Sequence, residues 1–131
     1  EMGSYNTDGT KLAYQYLNRL FRTWKRYQGG TASDIWIYDF ADSTSVKITD
    51  YPGTDALPMW HQNTIYFLSD RGPNHNLNLW AYQTDNKNFE QITNFDEYDV
   101  KFPSIGPNEI VFENGGELFL YSIANKKTTP V

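Results

Sequence analysis

Three short stretches of the chain are apolar at consecutive positions: Ile35-Trp-Ile-Tyr38, Leu79-Trp-Ala-Tyr82 and Leu118-Phe-Leu-Tyr121. Ile65-Tyr-Phe-Leu68 follows the same pattern. A strand with one wet face alternates apolar and polar side chains. A strand-length run that does not alternate is expected to be covered on both faces. The three stretches also recur as a motif, at Asp34 to Asp39, Asn78 to Gln83 and Glu117 to Ser122. After the first two copies an Ile-Thr pair starts ten residues beyond the tyrosine, at Ile48-Thr49 and Ile92-Thr93. Tyr38 and Tyr82 are 44 residues apart, and Tyr82 and Tyr121 are 39 apart. A period of this size marks a repeat architecture.

Each repeat divides into four strand candidates, separated by Gly, Pro, Asn and Asp clusters of the kind that close hairpins. In the first repeat they are Glu1 to Tyr5, Lys11 to Tyr16, Asp34 to Phe40 and Val46 to Thr49. In the second they are Ala56 to Trp60, Thr64 to Ser69, Leu77 to Tyr82 and Glu90 to Thr93. In the third they are Val100 to Ile105, Glu109 to Glu113, Glu117 to Ser122 and Lys127 to Val131. Antiparallel four-stranded units of this kind, repeating every ~40 to 45 residues, match the blades of a β-propeller. A β-sandwich would also have short strands, but not this regular recurrence. The expected fold is all-β, with three four-stranded blades at residues 1–50, 51–95 and 96–131. Closed propellers have about four to eight blades. Three blades are therefore expected to be part of a larger ring, or to pair with a second copy to close one of six. Trp36 is expected to be buried within or between blades, so that Trp36→Ala costs about 3–5 kcal/mol.

Composition narrows the function. Of 131 residues, 17% are aromatic, enough to fill a core. No apolar run is long enough to span a bilayer. No charged-then-apolar leader is visible at the first residues, although the chain reads as starting inside a larger protein. With no cysteine there are no disulfides, thiolate metal sites or cysteine nucleophiles. Cytoplasm and periplasm are both compatible with a soluble chain of this composition. A net charge of −5 and a pI near 4.8 speak against a general nucleic-acid binder.

No motif assembles an active site. The two histidines, His61 and His75, are expected on opposite faces of the second blade, where they share neither a metal nor a proton relay. Gly-x-Ser-x-Gly and His-Glu-x-x-His are both absent. Asp96, Glu97 and Asp99 lack the spacing of a calcium loop. Neither metal nor cofactor is expected. In Ser69-Asp-Arg-Gly72, Arg71 is expected to pair locally.

One segment breaks the repeat. The connection between the second and third strands is ten residues longer in the first blade, where it runs from Leu17 to Ser33, than in the second. Basic residues Arg19, Arg22, Lys25 and Arg26 interleave there with Leu20, Phe21, Trp24 and Tyr27. Blade topology puts this loop on the same face as the blade-to-blade links, which carry Asp50, Asp55, Asp96, Glu97 and Asp99. The arginines either pair with these acids or present a contact surface for a ligand, peptide or domain. On the second reading Arg19, Arg22, Trp24, Lys25, Arg26 and Tyr27 are the candidate contact residues. Asp55 and Asp99 read as equivalent residues of successive blades, either lining a channel mouth on the loop face or linking the blades.

Leu20-Phe-Arg-Thr-Trp-Lys-Arg-Tyr-Gln-Gly-Gly30, followed by Asp34-Ile-Trp-Ile-Tyr-Asp39, resembles the N-terminal six-bladed propeller of tricorn-type serine peptidases. Asp55-Ala-Leu-Pro-Met-Trp60, Ile65 to Arg71 and Gly106 to Gly115 strengthen the resemblance. Asn6-Thr-Asp-Gly9 departs from the Ser-Pro-Asp-Gly turn usual in such blades and in TolB-like propellers, but keeps its Asp-Gly. The resemblance implies a non-catalytic part of a large peptidase, whose catalytic residues lie in a C-terminal region beyond this chain. The propeller would act as a gated passage for peptides or as a scaffold for other domains of the parent. A stand-alone TolB-like interaction propeller is the alternative, and the Leu17 to Ser33 insertion is the feature that speaks against it.

Overall fold

The computed structural model describes residues 3–17, 33–51 and 53–131. Among these residues, twelve strands form three four-stranded antiparallel sheets. The first sheet holds β1 (Gly3–Tyr5), β2 (Lys11–Leu17), β3 (Ser33–Asp39) and β4 (Thr44–Lys47). The second holds β5 (Asp55–His61), β6 (Thr64–Ser69), β7 (Asn78–Gln83) and β8 (Phe89–Gln91). The third holds β9 (Val100–Ile105), β10 (Glu109–Asn114), β11 (Glu117–Ser122) and β12 (Lys127–Pro130). Each sheet is a meander in which sequence neighbours pair. The fold is all-β, a partial propeller of three blades.

The second sheet shows why its strands do not alternate. Along β6, Ile65 and Phe67 turn toward the first sheet, where they pack with Ala13, Ile35 and Tyr82. Tyr66 and Leu68 turn the other way and pack with Met59, Leu79, Ala81, Val100, Ile110, Phe112 and Tyr121. A period-two strand between two sheets buries both of its faces. Each large side chain removed from water in this way is worth about 1.5–3 kcal/mol.

Among the described residues, the first and third sheets are covered on one side only. On the far side of the first, Tyr5 and Tyr16 are 62% and 56% exposed, and Trp36 stands between Tyr14 and Lys47. On the far side of the third, Leu118 is 55% exposed. Trp36 is half-buried rather than enclosed between blades, with the Tyr16 ring edge-on to it at 6.3 Å.

Two further readings of the sequence are corrected. The fourth strands of the first two sheets end before the Ile-Thr pairs: β4 stops at Lys47 and β8 at Gln91. The threonine hydroxyl replaces the next ladder carbonyl. Thr49 Oγ1 accepts the Ile35 N–H at 2.9 Å, and Thr93 Oγ1 accepts the Leu79 N–H at 2.9 Å. The isoleucine before it continues the backbone ladder, with Ile48 N–H donating to Ile35 O and Ile92 N–H to Leu79 O. Val131 N–H makes the same bond to Leu118 O.

The second correction is one of register. β5 carries a bulge at Leu57-Pro58 opposite Phe67, and β9 one at Phe102-Pro103 opposite Phe112. Leu57 and Phe102 adopt φ of 56° and 54°, left-handed values that bulges tolerate. Counted from these bulges, Asp55 pairs with Ser69 as Val100 pairs with Asn114. Val100, not Asp99, is the counterpart of Asp55, and Asp99 corresponds to Thr54.

Candidate functional site

The face that carries the β2–β3 and β6–β7 connections and the inter-sheet links holds a buried polar cluster between the first and second sheets. Asp55 opens β5 and is fully buried. Opposite it, β6 ends at Ser69, and the chain turns so that Arg71 folds back over the strand end. The Arg71 N–H and Nε each donate to Ser69 Oγ, at 3.2 and 3.1 Å. Its Nη2 donates to Asp55 Oδ2 at 2.9 Å, so the local pairing of Arg71 anticipated from the sequence is present. The guanidinium lies 4.6 Å from the Phe89 ring centre, 5.1 Å from Tyr51, and 5.6 Å from both Phe67 and Trp80. Each such cation–π contact contributes about 0.5–2 kcal/mol.

Burial pushes the Asp55 carboxyl up to about 6, against the pull of Arg71 and of the Ser69 and Thr49 hydroxyls. Those hydroxyls lie close enough to favour the charged form, yet Oδ1 has no hydrogen bond of good geometry. Asp34 is also raised by burial, with Lys47 Nζ 3.9 Å away on its solvent side. Tyr51 is held above its ordinary range by burial and by its hydrogen bond to Asp70. Asp70 Oδ1 in turn accepts the Thr54 N–H at 3.1 Å. Gly53 has no room for a Cβ, which would run into the Asp70 carboxylate and the Tyr51 ring.

These groups tie β3 to β5. Ser33 Oγ donates to Asp55 O at 2.7 Å, and a parallel bridge joins Ser33 to Thr54. At the next link Asp99 Oδ1 accepts the Leu77 N–H at 2.8 Å, and Val100 N–H donates to Leu77 O at 2.8 Å. Asn78 fastens the same link, with Oδ1 accepting the Thr93 hydroxyl and the Phe95 N–H, each at 2.8 Å. Asp55 and Asp99 thus both join blades, by different means.

Arg19, Arg22, Trp24, Lys25, Arg26 and Tyr27 lie outside the described residues. The two ends of their segment do not: Leu17 and Ser33 pair directly, and Ser33 touches Thr54 beside the cluster. His61 stands apart on the opposite face, with Nε2 donating to the Pro107 carbonyl at 3.0 Å. Among the described residues no group of three His, Asp or Glu side chains could hold a metal ion. No helix of the described residues is long and apolar enough to cross a membrane. In chemical terms the cluster is a desolvated ion pair in an aromatic cage. It can fix two blades and the roots of a loop. Sequence reasoning missed the centrality of Arg71, Tyr51 and Asp70. Their signal was local: a Ser-Asp-Arg turn placed between strands rich in aromatics.

Comparison with known proteins agrees with this geometry. Residues 1–127 match the family described as tricorn protease N-terminal beta propeller domain. A tricorn protease homolog of Saccharolobus solfataricus is 34% identical over 99 residues, covering 75% of this chain and 9% of that protein. The chain therefore spans about a tenth of the length of the curated relatives it matches. The crystal structure of the tricorn protease superposes with a TM-score of 0.73 at 23% identity, covering 95% of this chain and 12% of that one. A TolB from Agrobacterium tumefaciens superposes with a TM-score of 0.77 at 18% identity, covering 98% of this chain and 47% of that one. Likeness at these identities is one of fold.

Proposed function

The chain belongs to the family of tricorn protease N-terminal β-propeller domains, and from that premise we propose that it is a non-catalytic stretch of propeller wall in a tricorn-like peptidase. Its role is physical: the ring it belongs to guides or gates peptides, or scaffolds neighbouring domains. The family match over nearly the whole chain carries this reading. It is supported by the loop face, where Asp55 and Asp99 take part in the joints between successive blades.

The test uses the full-length peptidase that contains this segment. Residues 18–32 are replaced by a short Gly-Ser linker, and hydrolysis of a short chromogenic peptide is compared with that of a long one. A gating role predicts that the ratio of the two rates changes while the short peptide is still cut. An unchanged ratio removes the gating role. Peptide hydrolysis by the 131-residue chain alone, blocked by a serine-directed reagent, removes the non-catalytic one.

For the 131-residue chain on its own, head-to-tail pairing of two copies is part of the proposal. The open aromatic face of the first sheet corresponds to the face with which the second packs on the first. The open aliphatic face of the third corresponds to the face it packs on. Light scattering checks this, and a clean monomer eliminates the pairing.

A further inference from the structure

On the face opposite the polar cluster, the first two sheets diverge around a cleft of about 610 Å³. This volume falls within the ~300–1,000 Å³ of small-ligand sites. Its floor is apolar: Ile37, Val46 and Ile48 from the first sheet, Trp60 and Tyr82 from the second. Val46 is 58% exposed, although it pairs with Ile37.

The walls differ in charge. The first blade contributes Asp8, Asp39 and Asp42, with Lys11 alone as counter-charge; the second contributes Lys87 and no acid. Lys11 Nζ is 3.5 Å from Asp39 Oδ2. Asp8, Asp42 and Lys87 enter no ion pair among the described residues. Both free carboxylates are nevertheless fixed in place. Thr44 Oγ1 donates to Asp42 Oδ1 at 2.6 Å, and Thr10 donates its hydroxyl to Asp8 Oδ1 at 2.7 Å.

The corresponding space between the second and third sheets carries larger side chains. There Tyr66 and Glu90 occupy the places of Ala13 and Val46. The Tyr66 and Tyr121 rings meet at 6.1 Å, and His61 reaches across to the Pro107 carbonyl. The opening between the first two sheets is thus a feature of its own residues rather than of blade geometry.

We propose that this cleft binds a short peptide with free termini and an apolar side chain. The side chain lies on the Ile37–Trp60 floor. The ammonium terminus faces Asp42 and Asp8, and the carboxylate terminus faces Lys87. The amides of Gln62 and Asn63 on the rim meet the peptide backbone. An uncharged apolar ligand would leave both walls unpaired. A ligand of a single charge would meet repulsion from one of them. The cleft opens on the hairpin-turn face between the first two sheets, lined from the β1–β2 turn and Trp60 of β5 out to β4 and Lys87.

The probe is Leu-Leu-Leu with free termini, titrated calorimetrically into the 131-residue chain beside its N-acetylated and its C-amidated forms. Blocking either terminus is expected to weaken binding about tenfold, the effect of losing one charged hydrogen bond. Asp42→Asn is expected to weaken the free peptide about as much as acetylation does, and to leave the acetylated peptide unchanged. Lys87→Gln should do the same for the amidated form. Both side chains sit on the rim, so circular dichroism of the variants should match the parent. Absence of binding at about 5 mM peptide, equal affinity for free and blocked peptides, or variants that weaken all three peptides alike would each overturn the proposal.

Discussion

Two interfaces join three similar blades, and they are built from different chemistry. Between the first and second sheets the loop end is joined by Ser33 bonding the Asp55 backbone, and Asp55 is paired within its own blade with Arg71 in a cage of Tyr51, Phe67, Trp80 and Phe89. Between the second and third, Val100 stands where Asp55 does, and a tight Gly115-Gly116 hairpin takes the place of the Arg71 turn. That interface is filled by stacked rings, Phe112 on Phe119 at 5.7 Å with Phe95 against both. A buried ion pair is weak evidence of stability, since an apolar replacement of similar volume often serves as well. The second interface is such a replacement within the same chain. The difference between them therefore concerns what the first interface positions: the roots of the 18–32 segment, at Leu17 and Ser33.

The comparison can be broken at several points. The largest effect is expected at the apolar interface. Phe112, 1% exposed, should cost about 3–5 kcal/mol as Phe112→Ala in urea unfolding. Trp36→Ala, on the open face of the first sheet, should cost less than about half as much, because part of its surface is already wet. Equal losses would mean that the first sheet's far face is covered after all.

Next comes the ion pair. Arg71→Ala strands a buried carboxylate and should cost about 3 kcal/mol. The double variant Asp55→Val, Arg71→Met copies the apolar solution and should recover most of that loss. A double variant no more stable than Arg71→Ala would show that the two interfaces are not interchangeable.

A smaller effect follows from pH. The Asp55 carboxyl is raised to about 6 in the folded chain, above its ordinary value of 3.8. Its contribution to stability is therefore fully present below pH ~4 and is lost as pH rises through ~6. Unfolding free energies of wild type and Asp55→Asn, compared between these limits, should diverge by about 1–3 kcal/mol, with the wild type losing ground as pH rises. Parallel curves would place the carboxyl in a wetter site. The smallest effect belongs to the ladder-ending hydroxyls. Thr93→Val leaves the Leu79 N–H and Asn78 Oδ1 short of a partner and should cost about 1–2 kcal/mol, read by the same unfolding.

Much of the fold was legible in the sequence. The ranges of β6, β9 and β11 coincide with the spans inferred from the apolar pattern and the turn residues. Strands are local: an apolar run bounded by Asn, Asp and Gly can do little else. The fourth strands were misjudged because Ile48-Thr49 and Ile92-Thr93 look like strand residues and continue the ladder, though through a hydroxyl. The candidate site was less legible. Asp55 was singled out, yet its partner Arg71 is 16 residues away, and nothing in that spacing shows the chain folding back.

By itself the sequence determined that this chain makes three four-stranded units and that the middle one is buried on both sides, because side-chain period and turn chemistry act over a few residues. Only the tertiary structure decided which residues of successive blades correspond. The bulges at Leu57-Pro58 and Phe102-Pro103 insert a residue opposite a single partner, and one residue of register moves a side chain from one face to the other. That step buries Asp55 against Arg71, puts Val100 in its place one blade later, and leaves Asp99 to fasten the Leu77 backbone.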